Sequence, residues 1–340
     1  MTRQTILLCF GGRSSEHDIS LMSARNVYAA MDGERYDVRL AYIDRQGKWW
    51  LFDDWLDNFD SHKTTQLAAV PGAKSLLLLP GNAVLRVDVL FPVLHGRYGE
   101  DGTIQGFAEM LGVPFVGPSV LGAALTMDKV RTKRMAEACG IAVVPWRVWL
   151  KDEEAPSYEE CRRQLGGVLF VKPVASGSSV GVSRVTNEQE WHEACELARQ
   201  YDSTVLIEKA INPREIEVAV LGTTRPRVSI PGEIISEELF YDFDDKYDSN
   251  TTSVLSIPAD ISSEFSDQVR DIARRVYGAV AGRGLARVDF FIDKDSGEVY
   301  FNEINSIPGF TNISMYPKLW QHEGVTYSEL ITELIRLAHE

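Results

Sequence analysis

The chain reads as a mixed α/β protein in which an N-terminal open parallel α/β unit is followed by a smaller α+β unit and a C-terminal part. Three observations predict this. Strand-like and helical runs alternate from the start, as in βαβ units of a parallel sheet. Strands outnumber helices in the middle third. Two apolar runs near the C-terminus, Ala286 to Asp293 and Val299 to Asn305, are joined by the turn-forming Asp-Lys-Asp-Ser-Gly segment and read as a hairpin.

Ile6 to Phe10 reads as the first strand, ending in the Gly11-Gly12 turn, with a helix from about Ile19 to Met31 and a strand from Tyr36 to Ile43. A strand over Val84 to Phe91, a helix over Thr103 to Leu111 and a short strand near Phe115 complete a first domain, residues 1–120. A second unit, residues 121–211, holds helices at Lys129 to Cys139, Tyr158 to Leu165 and Glu188 to Gln200. Its strands are Val143 to Leu150, Val168 to Lys172, Ser179 to Val185 and Thr204 to Glu208. The remainder, residues 212–340, carries helices Ser263 to Ala281 and Tyr327 to His339 and an aperiodic stretch from Ser236 to Ile257, which at that length reads as a lid or a disordered connection.

Composition sets limits. With 340 residues, 44% hydrophobic and 25% charged, the chain can bury a large core and is not disordered. Its net charge of −14 disfavours a nucleic-acid partner. Cys9, Cys139, Cys161 and Cys195 show no zinc or redox spacing and read as buried thiols of a reducing compartment. The N-terminal apolar run is too short for a signal peptide, and no run approaches the ~20 apolar residues that span a bilayer. A cytoplasmic protein is expected.

Pairing of the two C-terminal strands gathers Asp289, Glu303 and Asn305 beside Arg287. These are hard oxygen donors of the kind that hold Mg²⁺ together with nucleotide phosphates. A glycine-rich element follows Lys172, running through Ser176-Gly177-Ser178-Ser179 to Gly181. Small residues let backbone N–H groups approach an anion, and Lys172 adds charge, although the Walker ending is absent. Glu208, at a strand end by a domain junction, could recognise an adenine edge, and Glu215 could reach ribose; each alone also reads as a solvated glutamate. Two loops follow strands in the first domain, Gly11 to Ser20 with Glu16 and His17, and His95 to Thr103. Ligands of such sheets gather beyond the carboxyl ends of the strands. Ser15 with Asp18 fits a helix capping box.

Taken together, the Gly11 to Ser20 segment, His95 to Gly106, Met127-Asp128-Lys129, Lys172-Pro173 with Gly177 to Gly181, and Asn302 to Gly309 resemble the D-alanine–D-alanine ligase family of the ATP-grasp superfamily, across essentially the whole chain. The resemblance implies an ATP-grasp fold with an N-terminal pre-ATP-grasp domain. It implies a ligation in which the carboxylate of one D-alanine is phosphorylated by ATP and the amine of a second substrate attacks the acylphosphate. On this resemblance Asp289, Glu303 and Asn305 hold two Mg²⁺ ions, and Lys129, Lys172 and Lys246 contact phosphates with Ser178 and Ser179. Glu208 with the backbone of Ala210 and Ile211 reads adenine, and Glu215 binds ribose. Arg287 and the N–H of Gly309 form the oxyanion hole. Glu16 pairs the first substrate's ammonium, His95 lies near its carboxylate, Ser314 with Met315 holds the second substrate's carboxylate, and Ser178 and Tyr247 close the site toward Glu16. A homodimer and a role in peptidoglycan precursor synthesis are implied too. D-Alanine is the expected second substrate, with D-serine the rival and D-lactate further behind, because Tyr247 is kept and no histidine lies between His192 and His322. Another ATP-grasp carboxylate–amine ligase is the alternative.

Overall fold

A computed structural model of the protein describes residues 3–175, 180–235 and 254–340. Three sheets carry the site. The first is seven-stranded, in the order β6-β5-β4-β3-β2-β1-β7. Its parallel centre is β1 (Gln4–Gly11) between β2 (Tyr36–Ile43) and β7 (Val89–Val93). The expected parallel core is therefore present, and an antiparallel meander extends it: β3 (Trp49–Phe52), β4 (Thr65–Val70), β5 (Ser75–Leu79) and β6 (Ala83–Arg86). The β2–β3, β4–β5 and β5–β6 links are short turns, too short for the crossover of a dozen residues or more that a parallel return needs, while residues 53–64, with a 3₁₀ turn at Asp60–His62, join β3 to β4. The stretch expected as one strand from Val84 to Phe91 is two, β6 and β7, which lie at opposite edges of the sheet.

Helix α1 (His17–Ala30) follows β1, and α2 (Thr103–Leu111) follows β7. The capping box expected from Ser15 and Asp18 does not form. Glu16 takes the N-cap position without a side-chain cap bond, and Asp18 instead pairs with Arg45 at 2.7 and 2.9 Å. Ser14 explains the shift: its hydroxyl donates to the His95 carbonyl at 2.8 Å and accepts the Glu16 N–H at 3.2 Å, tying the turn to the neighbouring loop before the helix starts.

Helices α3 (Val120–Met127) and α4 (Lys129–Ala138) lead to a four-stranded antiparallel sheet, β10-β9-β11-β8. Here β8 is Trp146–Trp149, β9 Leu169–Pro173, β10 Ser183–Val185 and β11 Val205–Lys209, backed by α5 (Tyr158–Leu165) and α6 (Glu188–Tyr201). The third sheet runs β15-β14-β12-β16-β17, with β13 (Arg227–Val228) paired to β12. Its strands are β12 (Pro213–Leu221), β14 (Gly232–Ile235), β15 (Val254–Ser256), β16 (Leu285–Asp293) and β17 (Val299–Asn305). Helices α7 (Ser263–Ala279), α8 (Met315–His322) and α9 (Tyr327–Leu337) complete the described residues.

One core joins the first sheet to the tail of the chain. Ile6, Leu8, Phe10 and Val93 pack with Phe310, Tyr316, Trp320, Leu330 and Leu334, all nearly inaccessible to solvent. Residues spaced as Leu330, Ile331, Leu334 and Ile335 share one face of α9, as a 3.6-residue period requires. A capping box between Thr326 and Glu329 starts that helix. This packing sets the loop after β17 against the loops that end β1 and β7. Cys9, Cys161 and Cys195 are buried as expected, whereas Cys139, just past the end of α4, is exposed. No helix among the described residues is long and apolar enough to cross a membrane.

Candidate active site

The strand register assembles the C-terminal cluster. In the β16–β17 ladder Arg287 faces Asn305 and Asp289 faces Glu303, with a bulge directly after Asp289. Bulges re-aim side chains and are common beside active sites. The Arg287 guanidinium grips Asp289 with two bonds, Nε to Oδ1 at 2.7 Å and Nη2 to Oδ2 at 2.6 Å, and Asn305 Nδ2 donates to Asp289 Oδ2 at 2.9 Å. The cluster expected from the sequence therefore forms. Lys129, at the first position of α4, reaches Glu303 at 3.4 Å, placing a cation beside the carboxylates.

Among the described residues no group of three or more His, Cys, Asp or Glu side chains is arranged to hold a metal unaided. Two carboxylates and an amide are what Mg²⁺ uses when substrate phosphates complete its shell. The donor set fits that ion and would not make a closed structural site.

A second ionic group lies in the four-stranded sheet and α4. Glu208 is buried between Lys133, at 2.6 Å, and Lys172, which also pairs with it. Burial works to raise the Glu208 pKa, but the two ammonium groups hold it down to about 2. Burial lowers the pKa of Lys133, against the pull of Glu208. Glu208 is thus an ionised acceptor held by two lysine side chains. The amide hydrogen of Ala210 donates to the Val168 carbonyl at 2.9 Å. Glu215 stands in β12, opposite Phe291 of β16 and Ile234 of β14.

Lys133→Met is expected to cost about 1.5–3 kcal/mol, the range of a hydrogen bond to a charged group. It should not cost the ~3–5 kcal/mol of an orphaned buried ion, because Lys172 still compensates Glu208. Urea unfolding checks this, and a loss above that range would deny the Lys172 contact.

On the opposite wall Glu16 is buried beside the His95-Gly96 turn. A side chain at Gly96 would collide with the Glu16 carboxylate, and the left-handed φ of +69° there also favours glycine. His95 is buried, and burial lowers its pKa despite the nearby Glu16 charge. Both ring nitrogens are engaged: Nδ1 lies 3.2 Å from the Ile307 carbonyl, which requires the proton on Nδ1, and Nε2 lies 3.0 Å from Ser23 Oγ. Gly309 sits against Ser314, whose hydroxyl accepts the Thr311 N–H at 3.0 Å and touches Thr311 Oγ1 at 2.8 Å. Ser314 is the N-cap of α8, and the Met315 side chain is buried in the core, so Met315 offers the site its backbone N–H. Ser178, Ser179, Lys246 and Tyr247 lie outside the described residues.

Three groups escaped the sequence reading. Glu217 is buried opposite Asp289 in the β12–β16 ladder and pairs with Arg287 Nε at 3.1 Å. Only its alternation with Glu215 along one strand could have signalled this. Lys133 is four residues beyond Lys129, a spacing that puts both on one helix face. Glu100 lies inside the His95 loop; burial and the Glu16 charge push its pKa up to about 8, against two backbone N–H bonds and Lys129.

Residues 5–118 match the family description "D-ala D-ala ligase N-terminus", and residues 135–336 match "D-ala D-ala ligase C-terminus". The chain belongs to the D-alanine–D-alanine ligase family. The D-alanine--D-alanine ligase of Oceanobacillus iheyensis is 43% identical over 351 residues, covering 99% of this chain and 96% of that protein. D-Alanine--D-alanine ligase A of Chromobacterium violaceum is 46% identical, covering 98% and 94%. Among solved structures, the D-alanine-D-alanine ligase of Coxiella burnetii superposes with a TM-score of 0.87 at 36% identity, covering 99% of this chain and 95% of that one. The VanG D-Ala:D-Ser ligase of Enterococcus faecalis superposes with 0.89 at 35% identity, covering 99% and 100%. The architecture is accordingly that of the family, an ATP-grasp fold with a mixed α/β first sheet.

Proposed function

We propose that the chain is an ATP-dependent ligase joining two D-alanines to D-alanyl-D-alanine, a peptidoglycan precursor, with release of ADP and phosphate. The observation that carries this reading is the convergence of Arg287, Asp289, Glu303 and Asn305 on one face of the β16–β17 hairpin, across from the Glu16–His95 wall.

In the first half-reaction Glu16 pairs the ammonium of the first D-alanine. A carboxylate oxygen of that substrate attacks the γ-phosphorus of ATP, and the bond from that phosphorus to the bridging oxygen breaks to release ADP. Lys129 and Lys172 neutralise phosphate charge, Glu208 with the Ala210 and Ile211 backbone binds adenine, and Glu215 binds ribose. Positioning and charge dominate such a transfer, since the phosphoryl group needs little covalent help. Mg²⁺ held by Asp289, Glu303 and Asn305 supplies neutralisation of the oxygens around the transferred phosphorus when bound. In the second half-reaction Ser314 Oγ and the Met315 N–H, at the positive end of α8, hold the carboxylate of the second D-alanine. Its amine, as the free base, attacks the acyl carbon, Arg287 and the Gly309 N–H stabilise the oxyanion, and the carbon–oxygen bond to phosphate then breaks, the phosphate taking the electron pair and the proton the nitrogen gives up. Ser178, Ser179, Lys246 and Tyr247 are assigned by resemblance to closing the site over this chemistry. Shielding matters because an acylphosphate is prone to hydrolysis. A cytoplasmic homodimer is the corresponding proposal for location and assembly.

The fold is shared equally with a D-Ala:D-Ser ligase, so second-substrate choice rests on residues and not on architecture. Mass analysis of products formed from ATP, Mg²⁺, D-alanine, D-serine and D-lactate tests it. D-Alanyl-D-alanine should dominate; a dominant D-alanyl-D-serine or depsipeptide would overturn the assignment of the second substrate.

A further inference from the structure

Glu100 takes no part in the steps above, yet it touches the backbone segment that carries the Gly309 N–H. Its Oε1 accepts the N–H of Ile307 at 3.0 Å, while its Oε2 accepts the N–H of Gly96 at 2.8 Å. The carbonyl of the same Ile307 is held by His95 Nδ1 at 3.2 Å. Both polar backbone groups of Ile307, two residues before Gly309, are therefore gripped from a single loop that ends β7.

Beyond Gly309 the same pattern recurs. The Phe310 N–H donates to Ser23 Oγ at 3.2 Å, and the Phe310 carbonyl accepts from Asn26 Nδ2 at 3.0 Å and from the Tyr327 hydroxyl at 2.7 Å. Ser23 closes the circuit, since its hydroxyl also meets His95 Nε2 at 3.0 Å. Pro308 has no N–H to offer. Gly309 thus sits between two residues whose backbone groups are all tied down, almost wholly by side chains of the first sheet's loops and α1. Such support is more than packing requires: Ile307 and Phe310 are already 4% and 1% exposed.

We propose that Glu100 is a positioning residue of the ligation site, holding the Ile307 backbone so that the Gly309 N–H is fixed where the oxyanion develops, with Asn26 doing the same from the Phe310 side. This rests on the reading of Gly309 and Arg287 as the oxyanion donors. A carboxyl group can accept both N–H bonds at once; a glutamine amide can accept only one and turns its own NH₂ toward the other. A displaced donor costs rate because misplacement by ~1 Å can lose about 10²-fold, and the loss falls on the tetrahedral species more than on bound substrates.

The test compares Glu100→Gln, Asn26→Ala and Arg287→Lys in the full-length chain. It reads kcat, the KM for ATP, thermal midpoint, and inhibition by a phosphinate analogue of the tetrahedral adduct. Glu100→Gln should lower kcat and weaken the phosphinate by a common factor of about tenfold or more, with the KM for ATP within about twofold of the parent. Asn26→Ala should move the same two quantities in the same direction by less. A Glu100→Gln variant that loses thermal midpoint alone, with kcat and phosphinate affinity at parental values, overturns the proposal. If that variant does not fold, Asn26→Ala decides, and parental kcat there overturns it equally. Arg287→Lys separates the two levels. Weakened phosphinate binding there but not in Glu100→Gln removes the positioning role and keeps the oxyanion reading, whereas parental binding in Arg287→Lys removes the oxyanion reading itself.

Discussion

Glu303→Gln should lower kcat by about 10²–10⁴-fold while leaving the fold intact. The carboxylate faces Asp289 across the hairpin and meets Lys129 at 3.4 Å. Its side chain keeps 26% of its exposure and the Lys129 pair is partly hydrated, so that pair contributes at most about 1 kcal/mol to stability. Glutamine keeps the shape and removes the charge. On the proposed role of Glu303 this removes one anionic ligand of a cation, which can supply several kcal/mol of charge stabilisation in phosphoryl transfer, and each ~1.4 kcal/mol is tenfold in rate. The Mg²⁺ concentration for half-maximal activity should rise with it. Parental activity with parental Mg²⁺ dependence would reject Glu303 as a ligand.

Arg287→Lys should cost about 10²–10³-fold in kcat, the loss typical of one oxyanion donor. The guanidinium does two jobs: it locks Asp289 through Nε and Nη2 and pairs with the buried Glu217. Lysine keeps the charge, so the neighbouring carboxylates do not become an uncompensated cluster, but a single ammonium cannot reproduce the fork. Steady-state kinetics decide the outcome. A fall in kcat with little change in the KM for ATP is expected, and the reverse pattern would assign Arg287 to the nucleotide.

Much of this was legible in the sequence where chemistry and local pattern coincide. The β16–β17 hairpin and its acidic cluster follow from two apolar runs around a turn-forming segment, and α5 and α2 follow from helical period. What escaped depends on pairing between distant segments. Glu217 acquires its role only because β12 lies beside β16, a register no local pattern encodes. The strands β3, β4, β5 and β6 are too short to carry a clear period, and Ala83–Arg86 reads in sequence as continuous with Val89–Val93 although the two lie on opposite sheet edges. The α1 cap was misassigned for a related reason: Ser14 bonds to His95, 81 positions away, and that contact outcompetes the local box. Lys133 stands at helical spacing from Lys129, but its role comes from Glu208, which packs against it from β11. The roles of Glu100 and Asn26 come entirely from packing of the tail against the first sheet.

The proposed ligation requires phosphoryl transfer to the first substrate's carboxylate before the amide bond forms. D-Alanine labelled with ¹⁸O in both carboxylate oxygens, turned over with ATP and Mg²⁺, tests that order most directly. One labelled oxygen should appear in each inorganic phosphate released and one should remain in the new amide carbonyl. Label recovered in AMP, or phosphate free of label, would contradict it.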